Sequence, residues 1–282
     1  MAVNKIDFKK TTTADTNRGP SPNIWADCPV LEMIENPGRG MYFFDDFTGP
    51  TGLITSPTTE AALVGALYNG FGSSGATITQ GTALGGSIIL TEATDNEAVY
   101  LASKARCFQI SSALGKLWFE ARVKVSAITD DQIGFLLGLF DDTAITVIVP
   151  LSTANPPIFA TTGNFVGFWG REQDAGAVMS TYVADGVTSV SVQATVHTFV
   201  ADTYVKLGMK FDPDGFGEGD GAKLSFYVNN VRQTTSKVIP DNTGTDFPAD
   251  VRLSPLVGHR LGGSTSSLTT MDWWRCAQLY VD

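Results

Sequence analysis

Acidic side chains crowd one glycine-rich loop between two predicted strands. Residues 212–221 read Asp-Pro-Asp-Gly-Phe-Gly-Glu-Gly-Asp-Gly. Ca²⁺ takes carboxylate oxygens on flexible loops as ligands, which makes this loop a candidate calcium site formed by Asp212, Asp214, Glu218 and Asp220. The spacing departs from the EF-hand loop, which has a bidentate Glu at its twelfth position. A hairpin loop kept soluble by its acids explains the same residues, and no other cofactor is expected.

Hydrolysis of a glycosidic bond needs two carboxylates that flank the scissile bond. The run Glu172-Gln173-Asp174 begins an E-x-D-x-x-E pattern, but Ala177 stands where the second Glu would be. The run Glu218-Gly219-Asp220 has Lys223 at that place. No catalytic residue is therefore assigned, and the sequence predicts a protein that is not an enzyme.

Other catalytic and cofactor motifs are equally weak. The G-x-G-x-x-G run of residues 70–75 is followed by β-like residues, whereas a dinucleotide site needs a helix there. The two histidines, His197 and His259, are far apart, and no Ser lies in a G-x-S-x-G turn. The cysteines are three, widely separated and without metal-type spacing, which favours assembly in a reducing cytoplasm.

Tryptophans are the remaining residues with binding chemistry. Trp118 lies on the polar face of its predicted strand, and Trp169 lies in a glycine-rich stretch. Trp273 and Trp274 point to opposite faces, so one of them leaves the core. Exposed aromatic rings stack on sugars or anchor protein interfaces, which makes Trp118, Trp169 and Trp274 candidate glycan or interface residues. Packing under a loop or under the N-terminal segment explains them as well.

The first 40 residues differ from the rest of the chain. A polar stretch with proline and glycine is followed by apolar side chains that a free tail has little reason to carry. A tether of this kind grips its own domain or a neighbouring subunit. The sequence predicts an extended N-terminal arm over 1–40 and one β-sandwich domain over 41–282. The predicted partner-binding residues of the arm are Ile24, Trp25, Val30, Leu31, Met33 and Ile34.

The elements that must position these residues are strands. Apolar and polar residues alternate over Leu117–Val125 and again over Val205–Phe211, as in half-buried strands. A third such run, Leu224–Val228, ends at Asn229-Asn230, a pair suited to a tight hairpin. Many short strands without a repeat or βα alternation predict an all-β, two-sheet antiparallel sandwich.

Composition limits the partners. Apolar residues make up 43% of the chain and charged residues 17%, which suits a large core. The formal net charge of −10 disfavours nucleic acid and anionic membranes as partners. The N-terminal residues lack the apolar stretch of a signal peptide, and no run is long enough to span a bilayer.

Several of these strands resemble a known fold family. Residues 115–122, Tyr204–Phe211 and Leu224–Val231 are similar to core strands of concanavalin A-like and laminin-G-like jelly rolls. The entry Tyr42–Phe47 after a proline-containing arm resembles phage virion proteins that carry such a domain. The resemblance implies a jelly-roll sandwich and a structural role in a tailed-phage particle. No metal or sugar ligand of the lectins has a matching motif in this chain.

Three function hypotheses follow. The first is a capsid decoration or cement protein of the virion that binds the major capsid protein or other virion proteins through its arm and sandwich surface, as a homo-oligomer such as a trimer. The alternative is a lectin-like, carbohydrate-binding module of a phage tail or fibre. The third is a polysaccharide-degrading enzyme, which the missing acid pair disfavours.

Overall fold

The protein is described by a computed structural model over most of its length. The described residues are 13–48, 61–62, 68–72, 75–82, 85–104, 106–111, 113–129, 133–141, 164–183, 191–215, 221–233, 237–238, 247–263 and 266–280. Helices are short: α1 spans Pro22–Trp25, α2 spans Val30–Glu35, and Glu172–Asp174 forms one turn of 3-10 helix. None of the described helices is long and apolar enough to cross a membrane.

Strands dominate the described part of the chain. In order they are β1 (Gly40–Asp45), β2 (Ala61–Ala62), β3 (Tyr68–Gly72), β4 (Thr77–Gln80), β5 (Ile88–Thr91), β6 (Ala98–Ser103), β7 (Phe108–Gln109), β8 (Leu117–Val125), β9 (Ile133–Phe140), β10 (Phe165–Gly170), β11 (Ala177–Val183), β12 (Ser191–Thr198), β13 (Val205–Asp212), β14 (Lys223–Val228), β15 (Val231–Arg232), β16 (Lys237–Val238), β17 (Arg252–Leu261) and β18 (Leu268–Leu279).

These strands form two antiparallel sheets. Sheet A has the order β15-β14-β13-β8-β18-β5-β4, with β1 also paired to β18 and β16 to β14. Sheet B has the order β12-β11-β10-β9-β17-β6-β3-β2, with β7 also paired to β17. The predicted all-β, two-sheet antiparallel jelly-roll sandwich is confirmed.

The alternation of residue types sets which side chains lie between the sheets. Leu117, Phe119, Ala121, Val123 and Val125 of β8 face inward and are buried in the main core. The odd-numbered residues of β9 and of β13 reach the same core. Apolar side chains every second residue therefore hold the sheets together, since burying one large aliphatic side chain is worth about 1.5–3 kcal/mol.

The hairpin after β14 is a tight turn with an unusual backbone. Asn229 and Asn230 have φ values of 46° and 74°, in the left-handed region that asparagine tolerates better than most residues. The predicted Asn-Asn turn is confirmed. Its amides also hold the N-terminal segment, because the Asn23 backbone N–H donates to Asn230 Oδ1 at 2.7 Å.

The side chain of one histidine reaches from sheet B to sheet A. His259 of β17 is fully buried, and its Nδ1 lies 3.1 Å from Thr269 Oγ1 of β18. Burial lowers the pKa of His259 to about 3, and a backbone hydrogen bond at Ser267 offsets this only in part. The ring is therefore neutral wherever the protein is folded near neutral pH.

Residues 13–35, called the strap below, run across the outer face of sheet A. Ile24, Trp25 and Met33 are 0%, 1% and 3% exposed. They pack on Trp118, Tyr227 and Ala277 of the sandwich itself. Gly208 makes room for this packing, because a Cβ at that position would overlap Ile24 Cδ1.

Charged residues fasten the strap to sheet A. Lys210 Nζ lies 2.6 Å from both oxygens of Asp27, and Trp118 Nε1 donates to Asp27 Oδ1 at 3.1 Å. Lys206 Nζ lies 3.1 Å from Asp15 Oδ2 and 3.0 Å from the Gly19 carbonyl oxygen. The strap therefore supplies the acids that two lysines of β13 meet on this face.

The arm residues predicted to bind a partner are corrected in part. Ile24, Trp25 and Met33 pack on the chain's own sheet A, because burial there removes their apolar side chains from water. Val30 and Leu31 are half-buried. Ile34 is 57% exposed. The arm is also not extended throughout, because α1 and α2 lie within it.

Candidate functional site

The outer face of sheet B carries a second apolar cluster, separate from the main core. It consists of Ala98, Tyr100, Ala102, Leu136, Phe140, Phe165, Trp169 and Leu256, called the outer cluster below. Each of its members is at most 5% exposed. A sheet that buries apolar side chains on both faces reads as continuous hydrophobic sequence, and β9 (Ile-Gly-Phe-Leu-Leu-Gly-Leu-Phe) is such a run.

Strand register sets the outer cluster in rows across sheet B. Trp169 pairs with Leu136, Leu136 with Gly258, and Gly258 with Tyr100. In the next row Gly167 pairs with Gly138. Along β10, Gly167 thus lies between the outward rings of Phe165 and Trp169.

The glycines let the rings lie against the sheet. A Cβ at Gly258 would overlap the Tyr100 ring, and a Cβ at Gly138 would lie 3.0 Å from the Phe165 ring. Real Cβ contacts are almost never this close. The rings therefore lie flat and buried against the sheet, while the Arg171 and Asp174 side chains at one end keep 17% and 18% exposure.

Polar groups converge on one end of this face. Arg171, the residue after β10, binds Asp174 through two parallel hydrogen bonds of 2.7 Å from Nε and 2.6 Å from Nη2. Its guanidinium carbon lies 6.0 Å from the centroid of the Trp169 ring. Trp169 Nε1 is buried and makes no hydrogen bond to the described residues. A buried N–H without an acceptor costs about 1–3 kcal/mol.

A second arginine lies on the same face. Arg260 of β17 pairs in register with Gly134 of β9, and its Nη2 donates to Asn96 Oδ1 at 3.0 Å. The register of β10 and β9 ends at Gly170 opposite Phe135, so one further residue brings Arg171 beside Gly134. Two arginines therefore flank a residue without a side chain, next to the row of Trp169 and Tyr100.

Carboxylates are scarce on this face. The outward positions of β6, β9, β10 and β17 in the described chain contain neither Asp nor Glu. Asp174 lies beyond the strand and is held by Arg171. The Glu172–Asp174 run forms a 3-10 helix rather than a strand. A pair of carboxyl groups about 5–5.5 Å apart, as retaining glycosidases use, is not formed by these outward strand residues.

The three candidate tryptophans lie apart, and none is exposed. Trp118 is 0% exposed and lies under the strap, Trp169 is 1% exposed in the outer cluster, and Trp274 is 0% exposed in the main core. Of the two explanations that the sequence left open, packing within the protein is the one observed: Trp118 packs with the strap, and Trp274 lies in the main core between the sheets. Trp274 contacts Phe43, Phe47 and Tyr68. Only Trp169 lies beside the polar groups of the candidate site.

The predicted calcium ligands are not brought together in the described chain. Asp212 is buried and lies 2.8 Å from Lys116 Nζ, so its carboxylate already has a cation. Asp214 is exposed and donates its backbone N–H to Asp212 Oδ1. Glu218 and Asp220 lie outside the described residues. No group of three or more metal-type side chains occurs among the described residues.

Sequence patterns alone did not identify Arg171, Asp174, Tyr100 and Arg260 as a group. They come from two strands, the residue after a third strand and one helical turn, and only the register of β10, β9, β17 and β6 places them on one face. The available signal was the glycines inside apolar strands, at Gly134, Gly138, Gly167 and Gly258. Glycine inside a strand often marks a place where another group approaches the backbone closely.

Comparison with solved structures places this fold. No protein-family model matches the sequence, and no curated protein matches it. An endo-1,3-β-glucanase from Streptomyces sioyaensis matches at a TM-score of 0.53 and 13% identity, over 87% of this chain and 98% of that one. A protein of unknown function from Shewanella oneidensis MR-1 matches at 0.53 and 12% identity, over 86% and 87%. An immunostimulatory antigen and pseudo β-1,3-glucanase of Mycobacterium tuberculosis matches at 0.50 and 13%, over 85% and 98%.

These matches establish the concanavalin A-like jelly roll and correct one expectation. The sequence predicted a protein that is not an enzyme. That prediction is wrong, because the fold is shared with a protein named as an endo-1,3-β-glucanase. The missing E-x-D-x-x-E motif excludes one arrangement of two carboxylates in the sequence. It does not exclude enzymes with this fold.

Proposed function

We propose that this chain binds a carbohydrate polymer on the outer face of sheet B, at the end formed by Trp169, Arg171 and Asp174. The observation that carries the proposal is the partly exposed, bidentate Arg171–Asp174 pair beside the Trp169 ring, whose buried N–H has no hydrogen-bond acceptor among the described residues. The likeness in fold to an endo-1,3-β-glucanase supports it.

The chemistry of the site suits sugars. A sugar ring has an apolar face that packs on aromatic rings and hydroxyls that both donate and accept hydrogen bonds. The Arg171 guanidinium and the Asp174 carboxylate offer fixed donors and acceptors of this kind, with side chains 17% and 18% exposed. Sites of this class combine an apolar lining with a few converging polar groups.

Replacing Arg171 with glutamine is expected to weaken binding of a soluble β-1,3-glucan about tenfold, because a hydrogen bond to a charged group is worth about 1.5–3 kcal/mol. Titration calorimetry of wild type and R171Q measures this effect. Release of reducing ends is followed in the same samples, since the fold includes a glucanase. Soluble β-1,4-glucan and α-glucan complete the ligand set.

The matched control is R106Q. Arg106 also pairs with an aspartate, Asp141 at 3.0 Å, but at the opposite end of β9. R106Q should bind as the wild type does. Equal losses in both variants, or no binding to any of the glucans at millimolar concentration, would reject the proposed site.

The virion hypothesis remains a prediction. A decoration role, a capsid partner, a trimeric state and a phage location gain no support from the fold. The arm residues on which the role depended contact the chain's own sheet. Binding of a polymer is therefore the function that the arrangement of residues supports best.

A further inference from the structure

The strap covers sheet A at a cost in unmet hydrogen bonds. Glu120 of β8 lies at the centre of the covered face and is fully buried. Its Oε2 accepts hydrogen bonds from the Ser21 backbone N–H at 3.0 Å and from Trp25 Nε1 at 2.7 Å. Its other oxygen, Oε1, is buried and makes no hydrogen bond to the described residues.

Arg275 lies directly across from Glu120 on the neighbouring strand. The two residues pair in register between β8 and β18, where opposite side chains come within contact distance. Arg275 nevertheless packs against rings, with its guanidinium carbon 5.4 Å from the centroid of Trp25 and 5.0 Å from that of Trp273. Its Nε is buried without a hydrogen bond to the part of the chain that the structure describes.

Opposite charges that face each other across strands would satisfy one another in the absence of the strap. With the strap docked the two charges attract each other without a hydrogen bond, because the Trp25 N–H donates to Glu120 Oε2 and the Trp25 ring packs on the Arg275 guanidinium. A buried polar atom without a partner costs about 1–3 kcal/mol, and more if charged. The docked strap therefore gives up part of the free energy that its apolar contacts supply.

The strap is also a separate unit of the fold. One backbone hydrogen bond, 2.8 Å from the Asp15 N–H to the Asn229 carbonyl oxygen, joins it to the turn after β14. The hydrogen bonds at Glu120, Asn230 and Asp27 involve side chains, and none of its residues pairs as a strand with sheet A. A short link, residues 36–39 with Pro37 and Gly38, joins it to β1. It can therefore leave the sheet while the strand ladder stays intact.

We infer that residues 13–35 form a releasable strap, which opens as a unit from the folded sandwich because docking leaves Glu120 Oε1 and Arg275 Nε without hydrogen-bond partners. Release lets Glu120 and Arg275 pair and uncovers Trp118, Lys206 and Lys210. Burial raises the pKa of Glu120, although hydrogen bonds from Ser21 and the charges of Lys206 and Arg275 oppose the rise, which agrees with a carboxylate that is costly to cover.

Amide hydrogen exchange of the strap tests the inference through the direction in which two substitutions change the exchange rate. E120Q keeps an acceptor for Trp25 and removes the buried charge, and R275M removes the buried Nε. Each should slow amide exchange over residues 21–28 by about three- to tenfold, because each relieves a cost of closure of about 1 kcal/mol or more. If Glu120 and Arg275 only anchor the strap, both changes speed the exchange instead.

G208A serves as the opening control, because its added Cβ overlaps Ile24. Exchange of the strap should become faster in G208A, and in I24A if G208A does not fold, while exchange of β8 and β13 stays as in the wild type. Two results overturn the inference: faster strap exchange in E120Q and R275M, or wild-type strap amides that exchange only together with those of β8 and β13. Neither result bears on glucan binding at the other sheet.

Discussion

Replacing Asp27 with alanine is expected to lower the free energy of unfolding by about 2–3 kcal/mol. Asp27 is the carboxylate that Lys210 and Lys116 share, at 2.6 and 3.3 Å. Burial opposes its ionisation, but the charge and hydrogen bonds of Lys210, the Trp118 hydrogen bond and the charge of Lys116 outweigh burial, so its pKa is lowered. Removal of one partner of a buried pair costs about 3–5 kcal/mol, reduced in this case because a third of the Asp27 side chain is exposed.

Urea unfolding of D27A and of a matched variant, D202A, measures this loss. Asp202 also pairs with a lysine, Lys124 at 3.5 Å, but its side chain is 68% exposed. Exposed pairs contribute about 0–1 kcal/mol, so D202A should unfold almost as the wild type does. A D27A protein as stable as D202A would show that the strap contributes little to the stability of the sandwich.

Stability should fall steeply as pH drops below about 6.5, because of His259. The unfolded chain takes up a proton at the ordinary histidine pKa of 6.5, whereas the folded chain takes it up only near pH 3. The unfolded state therefore binds more protons between these values, and acid favours unfolding. The contribution is about 1.4 kcal/mol per pH unit, or roughly 2 kcal/mol between pH 6.5 and pH 5.

The variant H259Q isolates this contribution, since glutamine can still reach Thr269 but does not titrate. Chemical unfolding of both proteins at pH 7.5 and pH 5.0 gives the comparison. The carboxylates are the same in both proteins, so their contribution cancels. The wild type should lose about 2 kcal/mol more than H259Q over this interval. Parallel losses would mean that His259 is solvated in the folded protein.

The sandwich could be predicted from sequence because its signals are local. Alternation in β8 and β13 and the Asn229-Asn230 turn each lie within ten residues. The strap and the outer cluster could not be predicted in the same way. Lys206 and Lys210 read as a solvent face, but they are 1% and 4% exposed because Asp15 and Asp27, far away in sequence, cover them.

The candidate site depends on the same kind of distant pairing. Trp169 was identified from its type and its glycine neighbours. Arg171 carries no motif, and Asp174 appeared only in an incomplete E-x-D-x-x-E pattern. The rows that bring Tyr100 and Arg260 to the same face follow from the register of four strands. Residue types suggested candidates, and only the ladder of hydrogen bonds between strands decides which of them meet.

The position of strand β18 has a consequence for folding during synthesis on the ribosome. It lies between β8 and β5 in sheet A and also pairs with β1, so that Gly40 meets Leu279. At roughly 5–20 residues per second, β8 waits on the order of ten seconds for β18 to be synthesised. During that time one backbone edge of β8 lacks its hydrogen-bonding partner, and nascent-chain aggregation competes with folding. The need for chaperones during expression is therefore expected to depend on how fast the segment between β8 and β18 is translated.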